Sequence, residues 1–191
     1  ITDEPNSSPP PSEVPWKLRY NSNNTLVLKA NVPITVNGTN PNAWKTLKEA
    51  IEAESVENGD EFLVQGTITA TSAPGNSGVI TVRKKISIKK GGTSTPVLNA
   101  NSNCTDCPPT PHRIFTVENG AELTLDGIQL ESGDAGTENG GAILIKEGGA
   151  ADIKNTQIYE CKATNGGAIY NKGSLSLSLC HIGDNGKPNK A

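Results

Sequence analysis

Methionine is absent from this chain and rings are scarce: its 191 residues hold two Phe, two Trp and three Tyr. With hydrophobic residues at 34% of the total, a thick globular core built on aromatic packing is excluded. No stretch reaches the ~18 consecutive apolar residues of a membrane-spanning helix, and no signal-peptide pattern opens the chain. A strong excess of one charge is missing too. The formal net charge of -3 gives no electrostatic basis for a nucleic-acid partner. No aromatic residues interleave the lysine cluster described below, which removes the stacking platform of single-strand binding. A chain that opens on Ile1 and holds no Met is expected to be a processed or partial one.

Glycine, at 20 residues, and proline, at 13, are plentiful instead. Much of the glycine belongs to a repeat between residues 112 and 186, where one phrase is written three times. The first copy runs Ile114-Phe115-Thr116-Val117, Asn119-Gly120, Leu123-Thr124-Leu125, Ile128-Gln129-Leu130 and closes at Gly140-Gly141. The second runs Ala142-Ile143-Leu144-Ile145, Gly148-Gly149, Ala151-Asp152-Ile153, Thr156-Gln157-Ile158 and closes at Gly166-Gly167. The third runs Ala168-Ile169-Tyr170-Asn171, Gly173, Leu175-Ser176-Leu177 and Cys180-His181-Ile182. Aligning Leu123 with Ala151 and Leu175, and Leu130 with Ile158 and Ile182, gives a period of roughly 24 to 28 residues.

Each copy holds short period-2 runs broken by Gly, Asn or Asp, which argues strand and forbids a helix of useful length. Three strands per coil, stacked coil on coil, specify an all-β fold: a right-handed parallel β-helix of about five coils. A narrow solenoid interior fills with ladders of Leu, Ile, Val and Ala, so the shortage of rings is no obstacle. At the corner between strands the backbone turns sharply, and Gly140, Gly141, Gly166 and Gly167 supply positive φ there. The Ala that follows fits a crowded inner corner.

Gly140-Gly141-Ala142-Ile143 and Asn165-Gly166-Gly167-Ala168-Ile169-Tyr170-Asn171 resemble the GGA(I/L/V) repeat of chlamydial polymorphic outer membrane proteins and related β-helical bacterial surface proteins. The companion FxxN motif of that family is not met, because Phe115 is followed by Asn119. Asp60-Glu61-Phe62-Leu63-Val64 and Ile86-Ser87-Ile88-Lys89-Lys90-Gly91-Gly92 are similar to the opening coils of pectin-lyase-like β-helices. The resemblance implies an autotransporter passenger or adhesin, on the bacterial cell surface (outer membrane) or secreted.

In chain order, residues 1–15 have the composition of a Pro-rich linker. Residues 16–59 are expected to be an N-terminal cap with strand runs at Leu26-Val27-Leu28 and Ile34-Thr35-Val36. Asn40-Pro41 looks like a helix N-cap with Pro at the first helical position, and Trp44, Leu47, Ala50 and Ile51 fall at helical spacing over residues 43–55. This helix would cover the open end of the solenoid, which otherwise invites edge-to-edge association. Residues 60–191 are the expected β-helix, continuing beyond residue 191 because its last copy shows no cap. An irregular insert at 99–111 is the expected binding loop.

Within it Cys104 and Cys107 form Cys-x-x-Cys, open to a loop disulfide, free thiols or metal binding, with His112 as the nearest further ligand. Cys161 and Cys180 do not align in the repeat; they are open either to a bond that turn geometry would have to help or to a role as small buried ladder residues. Lys84, Lys85, Lys89 and Lys90 cluster with Arg83 around Ile86-Ser87-Ile88. Such charges most often form a solvated face, and otherwise suit an anionic glycan. With Asn103 and Asp106 of the insert, those four lysines are the candidate binding residues. Asp126 aligns with Lys154 and Asp152 with Thr124, so no acidic ladder forms, and no catalytic constellation, metal site or cofactor is expected. The reading is a monomeric, non-catalytic adhesin-like protein binding a host extracellular-matrix protein or an anionic glycan. A polysaccharide lyase or hydrolase with its active site in further coils, and a structural envelope spacer, are the alternatives.

Overall fold

The computed structural model describes residues 16–20, 26–30, 33–101, 110–184 and 186–191, in two units, Ile1–Pro33 and Ile34–Ala191. The expected linker at 1–15 lies outside the described residues. In the first unit, β1 (Trp16–Tyr20) pairs antiparallel with β2 (Leu26–Ala30), Trp16 opposite Ala30 and Tyr20 opposite Leu26. The span between them is too short for a parallel crossover, which fixes the antiparallel pairing. Strand β1 has no counterpart in the sequence reading, although Trp16-Lys17-Leu18-Arg19-Tyr20 alternates strictly between apolar and cationic residues.

The second unit opens with β3 (Ile34–Asn37) and α1 (Ala43–Glu52). Its first full coil is β4 (Asp60–Gln65), β5 (Thr67–Thr69) and β6 (Ile80–Val82). The second coil is β7 (Lys85–Lys90), β8 (Val97–Asn99) and β9 (Phe115–Val117). The third is β10 (Glu122–Asp126), β11 (Gln129–Glu131) and β12 (Ile143–Ile145). Strands β13 (Ala150–Lys154), β14 (Gln157–Tyr159) and β15 (Ile169–Asn171) make the fourth, and β16 (Ser174–Ser178) with β17 (His181–Ile182) begin the fifth. Equivalent strands stack into three parallel sheets: a six-stranded one from β3 to β16, a five-stranded one from β5 to β17 and a four-stranded one from β6 to β15. This is a parallel β-helix.

Register follows from the alternation. Phe62, Ile88, Leu125 and Ile153 sit opposite one another on successive rungs, and all four are fully buried. Ile68, Leu98, Leu130 and Ile158 form the same column in the second sheet, and Ile80, Phe115 and Ile143 in the third. A slip of one residue would turn each column outward, so burial locks the register. The last rung keeps the pattern without cover: Leu177 and Ile182 are 46% and 42% exposed, against 0% for Ile153 and Ile158 one coil earlier.

Three sequence expectations are corrected. The solenoid begins at Ile34 rather than Asp60, because β3 pairs in parallel with β4 and is a rung of the stack. The helix ends at Glu52 rather than Ser55, where Ala53 is already extended, and its N-cap is Asn42 rather than Asn40. Asn40 instead accepts the Asn42 N–H on its Oδ1 at 2.9 Å and the Ala43 N–H on its carbonyl at 3.0 Å, forming the turn that leads into the helix. Helix α1 packs on β3, β5 and β6, one strand from each sheet, and buries Ala43, Trp44, Leu47 and Ile51. Its first turn is capped from outside. The fully buried Asn76 accepts the Lys45 N–H on Oδ1 at 2.9 Å and donates through Nδ2 to Thr71 Oγ1 at 2.9 Å and the Pro41 carbonyl at 3.2 Å.

The Gly-Gly-Ala corners divide their work. Gly140 and Gly166 take the turn, with φ of 75° and 61°. Gly141 and Gly167 answer a different constraint, close approach between coils: a Cβ on Gly141 would lie 2.1 Å from the Gly167 carbonyl oxygen. Ala142 and Ala168 follow on the buried side, and the Ala168 carbonyl accepts the N–H groups of both Ala142 and Ile143, at 2.8 and 3.0 Å. Gly141→Ala is therefore expected to destabilise by about 3 kcal/mol or more in urea unfolding. Gly120→Ala, at φ 76° with nothing within 4 Å of the new Cβ, should cost only about 1 kcal/mol. Equal losses at the two sites would refute the close-approach account.

Candidate functional site

The lysine cluster lies on β7 and at the bends on either side of it. Lys85, Ser87 and Lys89 point outward while Ile86 and Ile88 point in. Neighbouring rungs answer each outward lysine with a carboxylate. Lys85 Nζ stands 3.6 Å from Glu122 Oε2, and Lys89 pairs with Glu61. Further down, Asp126 sits in register with both Lys89 and Lys154, and Lys154 pairs with Asp152 at 2.6 Å. The outer face of this sheet thus alternates in sign over the first three full coils, and the fourth carries both signs. Lys84 and Lys90 are exposed at the two bends, so the four lysines form no continuous basic stripe. Asp126 accepts a hydrogen bond from Asn155 Nδ2 at 2.8 Å, which with the Asp152–Lys154 pair gives both carboxylates structural partners. Asn103, Asp106, Cys104 and Cys107 lie outside the described residues.

The outer face of the third sheet, which carries none of the candidate residues named above, holds a second feature. In β12 and β15 the central residues, Leu144 and Tyr170, project outward from adjacent rungs in direct register. They floor a groove of about 540 Å³. One wall is Arg113, Glu138 and Asn139, the other Asn119, Lys146, Glu147 and Lys172. Both walls are braced. Arg113 pairs with Glu138 and its Nε donates to the Gly140 carbonyl at 3.4 Å. Asn165 Nδ2 donates to Asn139 Oδ1 at 2.8 Å, and Lys146 Nζ donates to both oxygens of Glu118 at 2.8 and 2.9 Å. Lys172 Nζ lies 5.9 Å from the Tyr170 ring centroid. The signal was present in the sequence: equivalent middle positions of Ile143-Leu144-Ile145 and Ile169-Tyr170-Asn171 carry large side chains that period 2 aims at solvent.

Cys161 and Cys180 are free thiols; Cys161 is buried, as a small ladder residue would be, whereas Cys180 is only half-buried. Burial pushes the Cys161 thiol up to about 12, the Glu131 and Glu160 charges adding to the rise and the Gly133 backbone hydrogen bond opposing it. A thiol held protonated is inert. Iodoacetamide at pH 8 is expected to spare Cys161 in the native protein and modify it in urea, read by peptide mass spectrometry; equal rates in both states would refute its burial.

His112 packs edge-on against Trp44, ring centroids 5.3 Å apart. Its Nδ1 lies 2.8 Å from the Arg113 carbonyl, a geometry in which Nδ1–H donates, and Nε2 is buried with no partner among the described residues. Burial lowers its pKa below the usual 6.5, Lys48 lowers it further, and the bond to Arg113 opposes. The unfolded chain therefore binds this proton more readily than the folded one. Stability held above about pH 6.5 should fall as pH drops through the lowered folded value. Urea midpoints at pH 7.5 and 5 should differ more in the wild type than in His112→Gln; identical pH dependence would refute the assignment.

Compared with models of protein families, with curated proteins and with solved structures, the chain has no match.

Proposed function

We propose that this chain is a non-catalytic, adhesin-like bacterial protein, displayed on the cell surface or secreted, that binds host proteins or glycans on the outward face of its solenoid. One observation carries the reading: the groove over Leu144 and Tyr170. Its floor is apolar and aromatic, its walls are charged and polar, and braced rungs hold it in shape. Pre-formed concave surfaces with an apolar floor and a few placed polar groups are the usual form of a ligand site. The Gly-Gly-Ala corners support the same reading, because they resemble repeats of β-helical surface proteins of the pectin-lyase-like kind.

A single assay tests binding and chemistry together. The purified chain is applied to immobilised host matrix proteins and to acidic and neutral polysaccharides, and bound protein is measured alongside newly formed reducing or unsaturated sugar ends. Saturable binding without new ends is expected, weakened roughly tenfold or more by Leu144→Arg, which fills the groove. New sugar ends would overturn the non-catalytic reading, and binding indifferent to Leu144→Arg would overturn the groove as the outward-face site.

A further inference from the structure

We propose that the groove over Leu144 and Tyr170 is a binding site for a neutral oligosaccharide, with one pyranose ring laid on the Tyr170 face. The inference rests on the outward-face reading above and specifies its ligand class.

A pyranose presents an apolar C–H face and a rim of hydroxyls, each able to donate and to accept. The groove has the complementary layout. Leu144 and Tyr170 make an apolar floor on successive rungs about 4.8 Å apart. Along its edges Arg113, Lys146 and Lys172 donate, Glu138 and Glu147 accept, and Asn119 and Asn139 do both. The charges balance once Glu118, which holds Lys146, is counted, so a polyanion finds no excess of cations here. At Leu144 an added peptide strand finds no free backbone edge, because β12 is hydrogen-bonded to β9 on one side and β15 on the other; β15, which carries Tyr170, is the edge strand of this sheet among the described residues.

Lys172 shows how the ring face is used. Its ammonium lies over Tyr170, and no carboxylate among the described residues stands within ion-pair distance of it. A sugar ring taking that face displaces an exposed stem and leaves the ammonium at the rim, able to donate to hydroxyls. Aromatic rings prefer a covered face, and stacking with a polarised C–H surface exploits the same quadrupole that holds the lysine.

The test is an array of neutral and acidic oligosaccharides, followed by calorimetric titration of the best neutral tetrasaccharide into the wild type, Tyr170→Ala and Tyr170→Phe, with folding checked by circular dichroism. Binding of neutral glycans is expected, weakened roughly tenfold in Tyr170→Ala and changed less than about threefold in Tyr170→Phe. Binding confined to acidic glycans, no glycan binding, or affinity untouched by Tyr170→Ala would each overturn the inference. Leu144→Arg in the matrix-protein assay separates the two readings. If it abolishes protein binding while no glycan binds, the oligosaccharide falls and the outward-face site stands; if it leaves protein binding intact and no glycan binds, both fall.

Discussion

Every feature of the second unit depends on rung-to-rung pairing of parallel strands at a spacing near 4.8 Å. This pairing allows no local adjustment, because each backbone N–H and C=O of an interior strand is committed to the coil above or below. Side chains must therefore stack on their equivalents one turn away, whether they face in or out. Inside, the result is the column from Phe62 through Ile88 and Leu125 to Ile153. At the corner the spacing brings main chains so close that Gly141 and Gly167 can carry no side chain.

The same constraint disciplines the surface. Like charges stacked at such a distance repel, and opposite ones gain from every neighbour. Lys85 meets Glu122, and Lys89 meets Glu61 on one side and Asp126 on the other, which in turn faces Lys154. Exposed ion pairs of this kind stabilise by little each, so their main effect is to keep the outer face of the six-stranded sheet near neutrality. A stretch that reads as a basic cluster along the chain becomes a mixed surface once neighbouring coils are stacked beside it.

The fold was legible because the repeat carries its own alignment. Leu123, Ala151 and Leu175 stack as their sequence equivalence requires, as do Leu130, Ile158 and Ile182. Local exceptions were not legible, and one corner shows why. Gly127, Asn155 and Leu179 occupy equivalent positions after the six-stranded sheet, with φ of 72°, 48° and 54°. Gly and Asn announce such a turn, but Leu does not. Stacking overrides its preference. The beginning of the stack was hidden for a related reason: Ile34–Asn37 is separated from its partner strand by a helix, so no repeat phrase marks it as a rung. The groove was half legible, its floor implied by period 2 and its walls set by which corner residues of separate coils lie side by side.

That last point explains why the groove falls on the third sheet. Its strands are short, so the bends at both ends crowd close to the outward central residues Leu144 and Tyr170. The bend before the strands brings Arg113, Glu138 and Asn139, and the bend after them Asn119, Lys146, Glu147 and Lys172. On the six-stranded sheet the longer strands of β7, β10 and β13 separate their bends, and paired charges fill the distance between. A concave face arises here because short strands meet two large apolar outward residues, Leu144 and Tyr170, stacked in register between the bends. The walls then inherit rigidity from the coil stacking itself, through Arg113 on Glu138, Asn165 on Asn139 and Lys146 on Glu118, each pair joining neighbouring coils.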